Sequence, residues 1–227
     1  MKKLLLMSGL VSLAAVATAG HFDTMYTGLK LDYAWSKLEY EDKKTSAAGG
    51  NFQTNTNNLN GFEMDALFGQ GFQMDDNWNY GFEGQIGHGL TEAKKSWEHV
   101  GTSASNLQIK NRRLWKFGAA GRFGRTFSNA LVYARLGLHA NQYESKASIS
   151  NNAAPAAELG KNSTRFFSWA VAPGAGVEWS FTPGVNARLE YVYEYSFTQK
   201  DITVAGKKFD INEPRTHVLS VGVTFAI

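Results

Sequence analysis

The chain has 227 residues, of which 43% are hydrophobic, 13% aromatic and 19% charged, with 23 glycines and a formal charge of +3. That is too apolar for a disordered chain and within the size of one domain, and the near balance of basic and acidic residues argues against a nucleic-acid partner. With no cysteine, disulfides, zinc–thiolate sites and cysteine nucleophiles are excluded.

The first nineteen residues read as an export signal. Lys2 and Lys3 give a positive start, and an apolar run from Leu4 to Val16 is broken only by Ser8, Gly9 and Ser12. Ala17-Thr18-Ala19 then places small residues at both positions that a signal peptidase reads. This three-part pattern predicts a signal peptide over 1–19, removed after Ala19, and a mature chain over 20–227. Beyond Val16 no stretch approaches 18 continuous apolar residues. A mature chain that enters a membrane must therefore do so as strands.

Eight segments alternate between apolar and polar residues, as strands with lipid on one side and a polar lumen on the other require. The first, near Met25–Ser36, sets Leu29, Leu31, Tyr33 and Trp35 against Lys30, Asp32, Ala34 and Ser36. The second, Leu59–Phe72, sets Phe62, Met64, Ala66 and Phe68 against Glu63, Asp65, Gly69 and Gly71. The third, Trp78–Leu90, sets Trp78, Tyr80, Phe82 and Ile86 against Asn79, Glu83 and Gln85. In the fourth, Leu107–Gly124, Trp115, Phe117, Ala119 and Phe123 oppose Lys110, Arg112, Lys116 and Arg122. In the fifth, Ala130–Tyr143, Val132, Ala134, Leu136 and Leu138 oppose Tyr133, Arg135, His139 and Asn141. The sixth, Arg165–Phe181, alternates Phe167, Trp169, Val171, Val177 and Trp179 with Ser168, Gly174, Gly176 and Glu178. The seventh, Val185–Phe197, alternates Leu189, Tyr191, Tyr193 and Tyr195 with Asn186, Arg188, Glu190 and Glu194. The eighth, Thr216–Ile227, alternates Leu219, Val221, Val223 and Phe225 with Thr216, Ser220 and Thr224.

Aromatic residues gather near segment ends, as girdles at the two membrane–water boundaries require, with Trp115 a mid-segment exception. Long polar links, roughly 37–58, 91–106, 144–164 and 198–215, alternate with short ones near 73–77, 125–129 and 182–184. The short links carry the turn residues Asp75-Asp76-Asn77 and Pro183-Gly184. An open sheet edge finds no water in lipid, so the eighth strand should pair with the first. The expectation is an all-β fold: an eight-stranded, antiparallel, up-and-down transmembrane β-barrel with four long outer loops and three short periplasmic turns.

Val171-Ala172-Pro173-Gly174-Ala175-Gly176-Val177-Glu178-Trp179, Thr182-Pro183 and Arg188-Leu189-Glu190-Tyr191 resemble the late strands of the outer membrane protein A-like and opacity-porin-like barrels. Ser220, Gly222, Phe225 and Ile227 resemble the C-terminal signal read by the barrel assembly machinery, with Ile227 where that family more often ends in Phe. The resemblance is best from about Phe167 to Ile227. It implies an integral outer-membrane protein with envelope-stabilising, host-contact or narrow-channel roles.

The lumen face of these strands should hold a charge network of Lys30, Asp32, Glu63, Asp65, Glu83, Lys110, Arg112, Lys116, Arg122, Arg135, Glu178, Arg188, Glu190 and Glu194. An eight-stranded barrel is only just wide enough for its own side chains. Seven bases and seven acids packed there should pair as a structural plug, because unpaired buried charge costs several kcal/mol per ion. A selective pore favours one sign. The carboxylates Glu63 with Asp65, and Glu190 with Glu194, are same-face strand neighbours that the lumen pattern already explains. His21, His88, His99, His139 and His217 lack metal-ligand spacing, and His217 and Ser220 face opposite ways. No catalytic, metal or cofactor site is therefore expected. The leading expectation is a non-enzymatic surface barrel serving envelope structure or adhesion. The alternatives are a narrow porin and, behind it, a lipid-modifying enzyme. Its partners would be outer-membrane lipid, the assembly machinery and an extracellular or host ligand at the Asn-, Ser-, Thr- and Lys-rich loops.

Overall fold

The computed structural model describes residues 22–42, 55–90, 92–97, 105–151, 158–198, 200–204, 207–211 and 215–227. The signal-peptide expectation over 1–19 lies outside the described residues. The strands are β1 (Met25–Asp42), β2 (Asn55–Gln73), β3 (Trp78–Gly89), β4 (Glu92–Trp97), β5 (Ser105–Phe127), β6 (Ala130–Asn151), β7 (Glu158–Thr182), β8 (Val185–Ser196), β9 (Lys200–Val204), β10 (Lys207–Ile211) and β11 (Arg215–Ala226).

Eight of them close a ring. Antiparallel pairing runs β1–β2–β3–β5–β6–β7–β8–β11, and β11 returns to β1 through twelve paired positions from Tyr26↔Ala226 to Lys37↔Arg215. Closure gives every ring strand a hydrogen-bonded neighbour on both sides, so the sheet has no open edge in hydrocarbon. The ladder lapses between β7 and β8 at Ala172 and Pro173, where proline has no N–H to give. The remaining strands lie off the ring: β4 pairs antiparallel with the Leu107–Arg112 part of β5, and the β9–β10 hairpin pairs onto the far end of β1.

At one end the strands are joined by short turns. One is a single 3-10 turn over Asp75–Asn77, with Asp76 and Asn77 at positive φ. A second pivots on Ser128 (φ 53) and Asn129, and a third on Pro183 and Gly184 (φ 76). At that end Phe22 folds into the barrel mouth against Leu131 and Tyr133, and its carbonyl accepts from the Asn79 amide at 3.1 Å.

At the other end the segments expected to be long loops are largely strand. β1 runs on to Asp42, β2 begins at Asn55, β6 reaches Asn151, and β4, β9 and β10 occupy the expected loops. In sequence these stretches are rich in Lys, Asn, Ser, Asp and Glu, yet their backbones continue the ladder. The same extension explains Trp115. β5 is 23 residues long, well beyond the ~10 needed to cross a bilayer, so its midpoint lies at a membrane boundary.

The outer wall is apolar. Leu29, Leu31, Met64, Phe68, Phe82, Ile86, Leu136, Leu138, Leu189 and Val221 are all exposed on it. Aromatic rings bound this band. Phe123, Trp78 and Trp179 lie towards the short turns, and Trp35, Trp115, Phe117, Phe167 and Trp169 towards the extensions. Trp169 and Trp179 are ten residues apart on β7, roughly 33 Å of strand, which at a tilt of roughly 40° covers about the 25 Å height of such a band.

Candidate functional site

The interior is where the chain concentrates its chemistry. Every second residue of each ring strand points inward, and along this face the buried residues are chiefly charged or polar. At the short-turn end, Glu178 accepts hydrogen bonds from Arg122 (2.9 Å), Arg188 (3.2 Å), Asn186 (3.3 Å) and Thr224 (2.6 Å). Arg188 also pairs with Glu83, which accepts from the Tyr26 hydroxyl at 3.1 Å. The Arg122 guanidinium lies 4.9 Å from the Tyr26 ring centre and 5.0 Å from that of Tyr133. Gly176 makes room for Tyr133, since a Cβ there would stand 2.6 Å from its ring.

In the middle, Glu190 accepts from Arg135 (2.7 Å), the Tyr133 hydroxyl (2.9 Å) and Lys30 (3.2 Å). The Gln85 Oε1 faces Arg135 and Lys30, at 3.4 and 3.5 Å, so its amide nitrogen is left to donate to His139 Nε2 at 3.3 Å. That orientation places the imidazole proton on Nδ1, which donates to Glu194 at 2.7 Å.

Towards the extensions, Arg113 bridges Glu63 and Glu194, the latter at 2.7 Å. The Lys116 ammonium lies 2.7 Å from Asp32, 2.7 Å from Asp65 and 3.2 Å from Glu63. Gly87 leaves the space that the Asp65 carboxylate uses, since a Cβ there would overlap it at 1.9 Å. Asp32, Glu63 and Asp65 could between them offer a cation three oxygens, but the cation at their centre is this chain's own lysine.

Two expected members of this network do not join it. Arg112 lies on the outer face with its side chain 42% exposed, and Lys110 shares that side of β5. The cause is a bulge: the register of β5 against β6 shifts between Arg113 and Lys116. Leu114 and Trp115 together oppose the single residue Gln142, so every side chain above them changes face. Arg113, not Arg112, therefore points inward. The sequence signal was present: Arg113-Leu114-Trp115-Lys116 breaks the alternation, with two apolar residues between two bases. Among the described residues the buried interior holds six cations (Lys30, Arg113, Lys116, Arg122, Arg135, Arg188) and seven carboxylates (Asp32, Glu63, Asp65, Glu83, Glu178, Glu190, Glu194).

The paired carboxylates considered for acid–base chemistry are all engaged by these cations. His217 stays on the outer wall, stacked on Trp35 at 5.5 Å and hydrogen-bonded to Tyr191, while Ser220 is buried inside. At the C-terminus Ser220 and Gly222 face inward, and Phe225 and Ile227 face outward beside the short turns.

Above the outer aromatic ring a second cluster forms on the outside. Glu144 accepts from Arg165 (3.0 Å), Lys146 (3.1 Å) and Arg112 (3.2 Å) and is almost covered by them. Hydrogen bonds from Lys146 and Arg165 hold its carboxyl below the usual glutamate range.

A closed antiparallel ring with an apolar outside, two aromatic girdles and a charged inside defines a transmembrane β-barrel. The family model described as the outer membrane protein beta-barrel domain matches residues 4–226, and the chain belongs to that family, whose place is the outer membrane. Among solved structures it is similar to OprG of Pseudomonas aeruginosa, at 10% identity and a TM-score of 0.50, covering 92% of this chain and 99% of that one. It is also similar to the attachment invasion locus protein Ail of Yersinia pestis, at 16% identity, a TM-score of 0.38 and coverage of 89% and 98%. Neisserial surface protein A aligns at 15% identity, a TM-score of 0.40 and coverage of 89% and 97%. No curated protein sequence matches the chain significantly.

Proposed function

We propose that this protein is a non-conducting, non-enzymatic barrel that serves the envelope as a rigid wall element and presents its strand extensions as a contact surface outside the cell. The observation that carries this reading is the interior. Ion pairs follow one another from Glu178 at one end to Lys116 and Arg113 towards the other, and their side chains are buried. Ions could pass only if pairs in this chain separated, and each separation leaves uncompensated buried charge at a cost of about 3–5 kcal/mol. The lipid-modifying alternative lacks a free nucleophile–base pair among the described interior residues. Contact through the extensions agrees with a rigid scaffold carrying its function at one end. In this reading residues 1–19 direct export and are removed, and Ser220, Gly222, Phe225 and Ile227 are read during assembly.

Planar-bilayer recording of the pure protein tests the closed interior. The expected result is no steady single-channel current. Sizeable, reproducible openings would favour the narrow-porin reading, and a change of their ion selectivity in an Arg135→Gln variant would place the pathway through this interior.

A further inference from the structure

We propose that the outer wall of β5, β6 and β7, just above the aromatic girdle, binds the phosphate groups of an anionic lipid in the outer leaflet. Arg112, Glu144 and Arg165 are register partners across three adjacent strands, and Lys110 and Lys146 are partners on the next outward-facing rung. All five lie on the face that carries lipid-facing residues lower down. The single carboxylate gathers Arg112, Lys146 and Arg165 within 3.0–3.2 Å of its oxygens. It is itself 5% exposed, while the three cations remain 42%, 46% and 65% exposed. With Glu92 and Lys94 of β4 at the register positions beside Arg112 and Lys110, the patch sets five basic positions against two acidic ones. The donors are held in place yet still open to a second anion. Guanidinium groups suit phosphate because they donate two parallel hydrogen bonds to it.

Depth identifies the source of that phosphate. One outward rung below Glu144 and Arg165 come Gln142 and Phe167, and one below that Ala140, Phe117 and Trp169. The rungs are roughly 7 Å apart along the strand, so the cations stand at headgroup height directly above the rings that mark the membrane boundary. A solute phosphate has no reason to seek that depth. A phosphorylated lipid is already there, and its acyl chains would lie on Trp115, Phe117, Phe167 and Trp169.

The test uses the full protein in vesicles of phosphatidylcholine containing diphosphoryl lipid A. It is followed by release into mild detergent and native mass spectrometry of the lipid retained per barrel. Wild type should retain the diphosphoryl lipid about tenfold more than its dephosphorylated counterpart, and Arg112→Gln/Lys146→Gln/Arg165→Gln should lose that preference. Arg125→Gln, a cation at the opposite girdle over Trp78, should keep it. Gel mobility before and after heating checks that each variant is folded. If the triple variant fails that check, Arg165→Gln alone, the most exposed change, should still lower retention several-fold. Equal retention by wild type and a folded variant would overturn the proposal. So would displacement of the lipid by millimolar inorganic phosphate, which would show a site for a free anion.

Discussion

Lys116 is the side chain on which the upper interior turns, because three carboxylates share its one ammonium. Replacing it with methionine keeps most of the volume and leaves Asp32, Glu63 and Asp65 to repel one another. Lys116→Met should destabilise the barrel by about 3–5 kcal/mol, read as a lower urea midpoint in lipid vesicles. Adjacent arginines give a sharper contrast. Arg113→Ala leaves Glu63 to share Lys116 and Glu194 to His139 and Asn141, and should cost a similar amount, whereas Arg112→Ala removes one half-exposed partner of Glu144 and should cost less than about 1 kcal/mol. Equal costs for the two arginines would contradict the inward assignment of Arg113. Glu144 offers a pH test outside the membrane. Its folded carboxyl titrates below its unfolded value of about 4.3, so the stabilisation is complete above that value and is lost as pH falls through the folded one. Carboxyl titration followed by NMR should place the Glu144 midpoint below about 4.3, and a midpoint at or above it would contradict the cluster.

At the scale of the strand, the bulge at Leu114 and Trp115 is the feature with the largest consequence. It lets β5 present Lys116 and Arg122 inward below it and Arg113 inward above it, although these residues differ in parity. Deleting Leu114 should remove the bulge and leave Trp115 alone opposite Gln142, so that Arg113 keeps its inward face and Arg112 its outward one. The expected outcome is a variant that keeps the heat-sensitive compact band on gels; loss of that band would contradict the assignment of Leu114 as the extra residue. This explains how much the sequence could disclose. Where lipid and lumen impose opposite demands on neighbouring side chains, as at Leu29-Lys30-Leu31-Asp32, alternation locates the strand and its inward face. Where one extra residue enters, alternation carried through the bulge assigns Lys110 and Arg112 to the wrong face. Beyond the membrane no apolar face is demanded. The extensions of β1, β2, β6 and β7 therefore read as loops, since only backbone pairing, invisible in composition, makes them strands.

At the scale of the molecule, closure and filling depend on each other. An eight-stranded ring leaves an interior of side-chain width, and inward charges from different strands can meet only if the ring is closed. Glu190 of β8 reaches Lys30 of β1 at 3.2 Å and Arg135 of β6 at 2.7 Å. Lys116 of β5 reaches Asp32 of β1 at 2.7 Å. An opened seam between β1 and β11 would expose both the ladder and these ions to lipid. The seam can be tested directly because the chain has no cysteine of its own. Leu31 and Val221 are register partners across it on the outer wall, where facing Cβ atoms stand about 5 Å apart. In Leu31→Cys/Val221→Cys, a short thiol-specific cross-linker applied to the folded protein in vesicles should join the two positions nearly completely. It should yield a circularised chain that migrates differently after boiling, while a Leu31→Cys/Phe82→Cys control should stay linear. Failure of the seam pair to join, or equal joining of the control, would contradict a closed ring.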